Sequence, residues 1–204
     1  GDSHTAHWRP GFEAAAGSEG VPTVRSLLGS CLAVGEASPD DNTACADRAR
    51  GLEGLVRELR PAAVVTSFSI GYGDDDPRWH EGFRDLASKL RELDIPLLVV
   101  LDTPRYAEDP LECLADGGSE RDCAMTRLDA EAKGEVIDRA ILSALESEGH
   151  GTVIDATEWM CPDDICLLRD GATVIPQDNH HVTGTYAASQ SRRFAEALDR
   201  AGAL

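Results

Sequence analysis

The feature that most constrains the fold of this chain is an alternation of short apolar runs with longer stretches of helical periodicity. Apolar runs occupy residues 21–28, 62–68, 95–101 and 152–154, each of strand length. Between them lie helical stretches at 45–59, 77–93 and 128–145, the last carrying Val136, Ile137, Ala140, Ile141, Ala144 and Leu145 on one stripe. The order β-α-β-α-β-α-β predicts a parallel sheet with helices on both faces, because strands that are apolar throughout must be covered twice. A final helix is expected over 183–201 with Thr183 as its N-cap, and 167–175 reads as a hairpin turning at Arg169-Asp170-Gly171. At 204 residues the chain suits one domain with a sizeable core.

Charge narrows the partners. Asp and Glu number 37 against 19 Lys and Arg, and a net charge of -18 repels phosphate backbones and anionic lipid, so nucleic acid is not an expected partner. The sequence holds no run of eighteen apolar residues and no basic start leading into an apolar stretch, so neither a membrane span nor a signal peptide is read here. Six cysteines form three local groups, and sequential pairing is expected: Cys31–Cys45, Cys113–Cys123 and Cys161–Cys166. Such bridges require an oxidising compartment. A zinc reading is disfavoured, since no C-x-x-C occurs and Cys161 to Cys166 is wider than usual ligand spacing. Asp74-Asp75-Asp76 offers the hard oxygens calcium prefers, but three contiguous aspartates before Pro77 more simply cap a helix. No metal site is expected.

The chemistry-bearing residues stand at the two ends. Gly1-Asp2-Ser3-His4 opens the chain, and Asp178-Asn179-His180-His181 lies near its close. A serine hydroxyl needs a base to become a nucleophile, and the base needs an acceptor to hold its tautomer. Ser3, His181 and Asp178 supply those three roles, with D-x-x-H allowing one loop to present both partners. Ser3 is expected to open the first helix at the carboxyl ends of the strands, where ligands gather in such sheets and where the helix dipole favours an anion. Read alone, Asp2-Ser3 is a good helix cap; read with D-x-x-H, it is a nucleophile. His180 competes with His181 as base. A metal held by His180, His181 and an acidic residue lacks an evident third ligand. His7 and Trp8 either line the pocket mouth or pack into the core.

The start Gly1-Asp2-Ser3-His4-Thr5-Ala6-His7-Trp8-Arg9-Pro10, the stretch from Cys161-Pro162 to Cys166, and Asp178 to Tyr186 together resemble the SGNH (GDSL-like) hydrolase superfamily. The likeness is to the extracytoplasmic SGNH domain fused to bacterial acyltransferase-3 membrane proteins. It covers essentially the whole chain, with its specific motifs at the ends. The resemblance implies a flavodoxin-like three-layer α/β/α sandwich with a central parallel sheet. It also implies Ser3 as nucleophile, Asp178 as orienter and His4 as a supporting residue. Alignment of His181-Val182-Thr183 with the family's His-Leu-Ser/Thr pattern selects His181 as base. The family's oxyanion hole uses the nucleophile N–H, a glycine of the second block and an asparagine of the third. Here the third strand reads Val64-Val65-Thr66-Ser67-Phe68-Ser69-Ile70-Gly71, with no asparagine. The hydroxyl of Ser67 or Ser69 is the candidate to replace it, beside the Ser3 N–H and a second N–H from the Gly29-Ser30 turn.

Function follows from the resemblance as O-acetyl transfer to a cell-envelope carbohydrate through an acyl-serine, without a cofactor. The partners implied are an acyl donor, a carbohydrate acceptor and a fused upstream membrane domain, on the extracytoplasmic side. A secreted carbohydrate esterase and a catalytically silent glycan-binding domain are the alternatives, the second prompted by the missing asparagine. Trp8, His7 and Trp159 are candidate substrate contacts. A nucleophile at a frayed terminus could not hold catalytic geometry, so the chain is expected to be part of a longer protein whose upstream residues include the first strand.

Overall fold

The computed structural model describes residues 1–29, 43–72 and 78–204, and at its centre three parallel strands form a sheet in the order β1-β2-β3. These are β1 (Val64–Ser67), β2 (Leu97–Val100) and β3 (Thr152–Ile154), with Ser67 opposite Val100 and Val100 opposite Ile154. The middle strand is Leu-Leu-Val-Val and buried at every position, so both of its faces need cover. Leu98 and Val100 point to one side, where they join Trp8, Phe194 and Ala197. Leu97 and Val99 point to the other, among Phe83, Ile137 and Ile141. The first side is covered by α1 (Ser3–Ser18), α8 (Gly184–Ser189) and α9 (Ser191–Arg200); the second by α3 (Arg78–Glu92) and α6 (Arg127–Glu148), with α2 (Thr43–Leu59) contributing Val56. The expected three-layer α/β/α architecture results.

Shorter elements complete the chain: α4 (Pro110–Ala115), α5 (Glu120–Cys123), α7 (Thr157–Met160) and the hairpin of β4 (Arg169–Asp170) with β5 (Thr173–Val174). Gly171 turns that hairpin at a φ of 58°, the left-handed region that favours glycine. Thr183 caps α8 as expected, accepting the Tyr186 N–H at 3.2 Å. Disulfides Cys113–Cys123 and Cys161–Cys166 are formed. Cys45 is buried, while its expected partner Cys31 lies outside the described residues, as do Ser30 and Asp74-Asp75-Asp76.

Several expectations are corrected. The last helix is not continuous: the Gln190 N–H bonds back only three residues to Ala187 O, and this tightened turn separates α8 from α9. Val136 is half exposed, so the buried stripe of α6 runs through Ile137, Ile141, Ala144 and Leu145 without it. The run 21–28 is extended but forms no strand of the sheet. Among the described residues its ladder pairing is with Gly1, whose N–H bonds Ser26 O at 3.0 Å and whose carbonyl accepts the Leu28 N–H at 3.1 Å, one rung of a parallel ladder, while the Val21 N–H bonds Ala16 O at 2.9 Å and Arg48 Nη2 donates to Ser26 O. Between this run and β1 lies an apolar groove of about 550 Å³, lined among others by Phe12, Ala16, Val21, Leu27, Val56 and Val64.

Candidate active site

Ser3 is the first residue of α1, and its place is fixed by its neighbours. Asp2 is the N-cap: its Oδ1 accepts the N–H of His4 at 2.8 Å and of Thr5 at 3.4 Å. The other oxygen, Oδ2, accepts the Ser69 N–H at 2.9 Å, and Thr5 Oγ1 both donates to Ser67 O at 2.7 Å and accepts the Ser67 N–H at 2.8 Å. The helix N-terminus is thereby latched to the carboxyl end of β1. As the first helical residue, Ser3 has an N–H that helix geometry leaves without an internal acceptor.

The second loop folds on one carboxylate. Asp178 Oδ1 accepts the backbone N–H groups of His180 at 2.9 Å and His181 at 2.8 Å, and Oδ2 meets His181 Nδ1 at 2.7 Å. His181 Nε2 then lies 3.0 Å from Ser3 Oγ. The loop is pinned from outside by Thr103 Oγ1 donating to His180 O at 2.6 Å and by the Tyr106 N–H donating to Asn179 O at 2.8 Å. Burial pushes the Asp178 carboxyl up, but the His180 N–H and the ring and N–H of His181 outweigh it and hold the group at about 2. Asp178 is therefore ionised at neutral pH. The structure brings Ser3, His181 and Asp178 into one hydrogen-bonded chain and leaves His180 off it, its Nδ1 on Asn179 Oδ1 at 2.6 Å.

His4 is 1% exposed, and its Nδ1 pairs with Asp102 Oδ1. Burial disfavours the His4 cation, yet the charge of Asp102 and its hydrogen bond prevail and raise its pKa. Asp102 also accepts the Ile70 N–H at 2.7 Å through Oδ2 and the Thr103 N–H at 2.7 Å through Oδ1. Sequence reasoning missed Asp102. The signal was available, since a carboxylate two residues beyond a strand's carboxyl end lies where such sheets build their sites. His7 stands edge-on to His181, with ring centres 5.6 Å apart; burial, then the charges of His4, His181 and His180, lower its pKa well below the usual value.

The oxyanion candidates separate. Ser67 is 1% exposed, and its hydroxyl has no partner among the described residues. Ser69 Oγ accepts from Arg105 Nη2 at 2.7 Å and from the Gly71 N–H at 3.2 Å. With both lone pairs engaged, this hydroxyl is left as a donor. Arg105 was not foreseen either. Gly29 is exposed, with no atom outside its immediate neighbours within 4 Å of where its Cβ would be. Of the two readings open for Trp8, the structure has the core one: it is 0% exposed and packs edge-on against Phe194 at 5.6 Å and Trp159 at 5.9 Å. Trp159 is partly exposed, packs on Phe194 and carries the Arg193 guanidinium 5.3 Å above its ring.

A family model of the SGNH domain fused to AT3 domains matches residues 1–196. Among solved structures, the chain is similar to the periplasmic domain of the lipopolysaccharide acetyltransferase of Salmonella ser. Paratyphi A. The TM-score is 0.75 at 15% identity, over 98% of this chain and 81% of that one, a likeness of fold. No curated protein matches the sequence.

Proposed function

For a chain that belongs to the family of SGNH domains fused to AT3 domains, we propose O-acyl transfer to a cell-envelope carbohydrate through an acyl-serine on Ser3. The family supports an acyl-transfer or esterase role in general; the nucleophile, the acceptor and the direction are our reading. The observation that carries it is the chain of contacts from Ser3 Oγ to His181 Nε2 at 3.0 Å and from His181 Nδ1 to Asp178 Oδ2 at 2.7 Å. His181 takes the Ser3 proton as Oγ attacks the acyl carbonyl, and Asp178 stabilises the imidazolium. Collapse of the tetrahedral intermediate breaks the bond to the donor's leaving oxygen, which receives that proton. A carbohydrate hydroxyl then gives its proton to His181, attacks the acyl-serine and leaves as the ester, while Ser3 regains its proton. The oxyanion is held by the Ser3 N–H at the start of α1 and by the Ser69 hydroxyl, which Arg105 polarises.

Incubation with an acetyl donor and a panel of envelope oligosaccharides tests the assignment, with acetylated sugar followed by mass spectrometry. Acyl-Ser3 and sugar ester are expected. Free acetate formed at a rate no sugar alters would turn the reading to the esterase, and no acyl-enzyme at all would turn it to a glycan-binding domain.

The location proposed is extracytoplasmic, supported by the two disulfides and the AT3 fusion of the family, with a membrane domain upstream. Among the described residues, no helix is long and apolar enough to cross a membrane. The expected strand leading into Gly1 is carried forward as part of the same proposal. Gly1 already bonds the 21–28 run as a parallel strand does, and the apolar groove lies alongside. A protein extended upstream of Gly1 should melt higher than one starting there; equal melting temperatures would remove the strand.

A further inference from the structure

Three histidines meet beside Ser3, from two distant parts of the chain. His4, His180 and His181 each offer a ring nitrogen, and the three nitrogens lie within 4.8 Å of one another. Each ring has its Nδ1 against an oxygen: Asp102 Oδ1 for His4, Asn179 Oδ1 for His180 and Asp178 Oδ2 for His181. Oxygen partners on one ring nitrogen are what orient histidine in metal sites, fixing the tautomer that leaves Nε2 free to ligate. The Nε2 of His4 is buried and meets no protein partner among the described residues, although the residue is only 1% exposed. A buried donor or acceptor left unpaired is costly, and a ligand that engaged it would relieve that cost.

We propose that His4, His180 and His181 form a binding site for a divalent ion of the zinc class, overlapping the triad and silencing it reversibly. The donor set selects the ion. Three imidazoles suit Zn²⁺, whereas Mg²⁺ and Ca²⁺ require oxygen ligands. With Zn–N bonds of about 2.0–2.1 Å, tetrahedral ligand nitrogens stand roughly 3.4 Å apart, so a cluster whose nitrogens lie within 4.8 Å must contract by up to about 1.4 Å. His180, whose side chain is 29% exposed against 1% for His4, is the ring with room to move, pivoting on its Nδ1 contacts with Asn179 Oδ1 and Asp178 Oδ1. The fourth position falls to water or to Ser3 Oγ, which already lies 3.0 Å from His181 Nε2. An ion on that nitrogen occupies the lone pair that must accept the serine proton, so bound metal and activated nucleophile exclude each other. No bond of a substrate is made or broken.

The inhibitory half rests on the proposed triad; the binding half does not, and the test separates them. Metal-free protein without a polyhistidine tag is titrated with ZnCl₂ by calorimetry, and turnover of an acetyl phenolate ester is followed in parallel. One equivalent is expected to bind, inhibition should follow the binding isotherm, EDTA should restore the rate, and MgCl₂ and CaCl₂ should do neither. Ser3→Ala should still bind zinc, which tests the site even if the ester is not a substrate. His180→Ala should weaken binding tenfold or more, with inhibition measured against its own metal-free rate. Because His4 is buried on Asp102 and its replacement risks misfolding, the exposed His180 carries the mutational test. Absence of binding at millimolar zinc, or affinity undiminished in His180→Ala, would overturn the site. Tight binding with an unchanged rate would overturn the silencing.

Discussion

The 178–181 loop and the 67–71 turn flank the same end of α1 and are built by opposite means. In the loop, one carboxylate organises the backbone and the base through bonds to residues two and three positions away, and Thr103 and Tyr106 add an outer pin to backbone carbonyls. In the turn, the backbone of Ser67, Ser69 and Ile70 is held by Thr5, Asp2 and Asp102, and the Ser69 hydroxyl by Arg105, across separations of 62, 67, 32 and 36 residues. The proton-handling half of the proposed site is a local motif; the anion-stabilising half is assembled by tertiary structure. Local geometry survives sequence change only if its few residues are kept, whereas a tertiary scaffold can exchange the donor it presents. On the proposed reading, Ser69 with Arg105 behind it takes the role that the family pattern gives to asparagine.

The sharpest break of this contrast lies in the loop. Ser3→Ala and His181→Ala are each expected to lower ester turnover by roughly 10⁴-fold or more, and the double variant should be no worse, since nucleophile and base act as one unit. His180→Ala should cost less than about tenfold on the same scale. Equal losses for the two histidines would show that the base has been misassigned.

Next comes Asp178→Asn, expected to cost about 10³- to 10⁴-fold in kcat. Asparagine can keep the Oδ1 acceptor for the loop amides but turns an NH₂ toward His181 Nδ1, forcing the wrong tautomer. The fold should therefore stay while the rate falls. In the wild type, the Asp178 carboxyl sits at about 2 against 3.8 unperturbed, so its contribution to stability is present above pH 4 and is lost as pH falls toward 2. Between pH 7 and 5 Asp178 stays ionised, so the melting temperature should be unchanged by it over that range.

In the turn, Ser69→Ala should lower kcat by about 10²-fold, the usual effect of one oxyanion donor, with KM nearly constant. Arg105→Met should follow it in part, because the Ser69 hydroxyl loses the guanidinium that fills one lone pair, and Arg105→Lys should recover some of the rate. A loss confined to KM would make Ser69 a ground-state contact. Ser67→Ala, at a buried hydroxyl without a partner among the described residues, should leave kcat near wild type.

What was legible in the sequence divides along the same line. Periodicity located β1, β2, β3, α2, α3 and α6, because apolar spacing reports burial directly. The run 21–28 has the composition of a strand but not the structure of one, since a strand is defined by what lies beside it and, among the described residues, its ladder pairing is the single rung with Gly1. The loop was legible because D-x-x-H encodes its own hydrogen bonds. Asp102 and Arg105 were not, since their partners are more than thirty residues away in sequence and depend on how β1 and β2 end side by side. Trp8 was ambiguous for a further reason: an aromatic five residues along the helix from the nucleophile fits a pocket wall and a core face, and the packing of α9 decides it.

The smallest effect concerns a carboxylate outside the proposed chemistry. Asp138, on α6, is pushed up to about 7 by burial first and then by the charges of Asp155 and Asp102, and its Oδ1 has no partner among the described residues. The unfolded chain releases this proton near 3.8, whereas the folded protein holds it until about pH 7. Between those values the unfolded state binds fewer protons, so stability falls as pH rises and levels off once the folded group has ionised. Asp138→Asn cannot ionise and escapes that decline. Relative to wild type it should melt at about the same temperature at pH 4 and higher at pH 8, by at least about 2 °C given the usual 2–4 °C per kcal/mol for a domain of this size. Melting curves at the two pH values check this. A shift of equal size at both would assign Asp138 to packing, while a gain that grows with pH would show that the fold tolerates an unfavourable charge within reach of Asp102, the carboxylate that accepts the Ile70 N–H in the 67–71 turn.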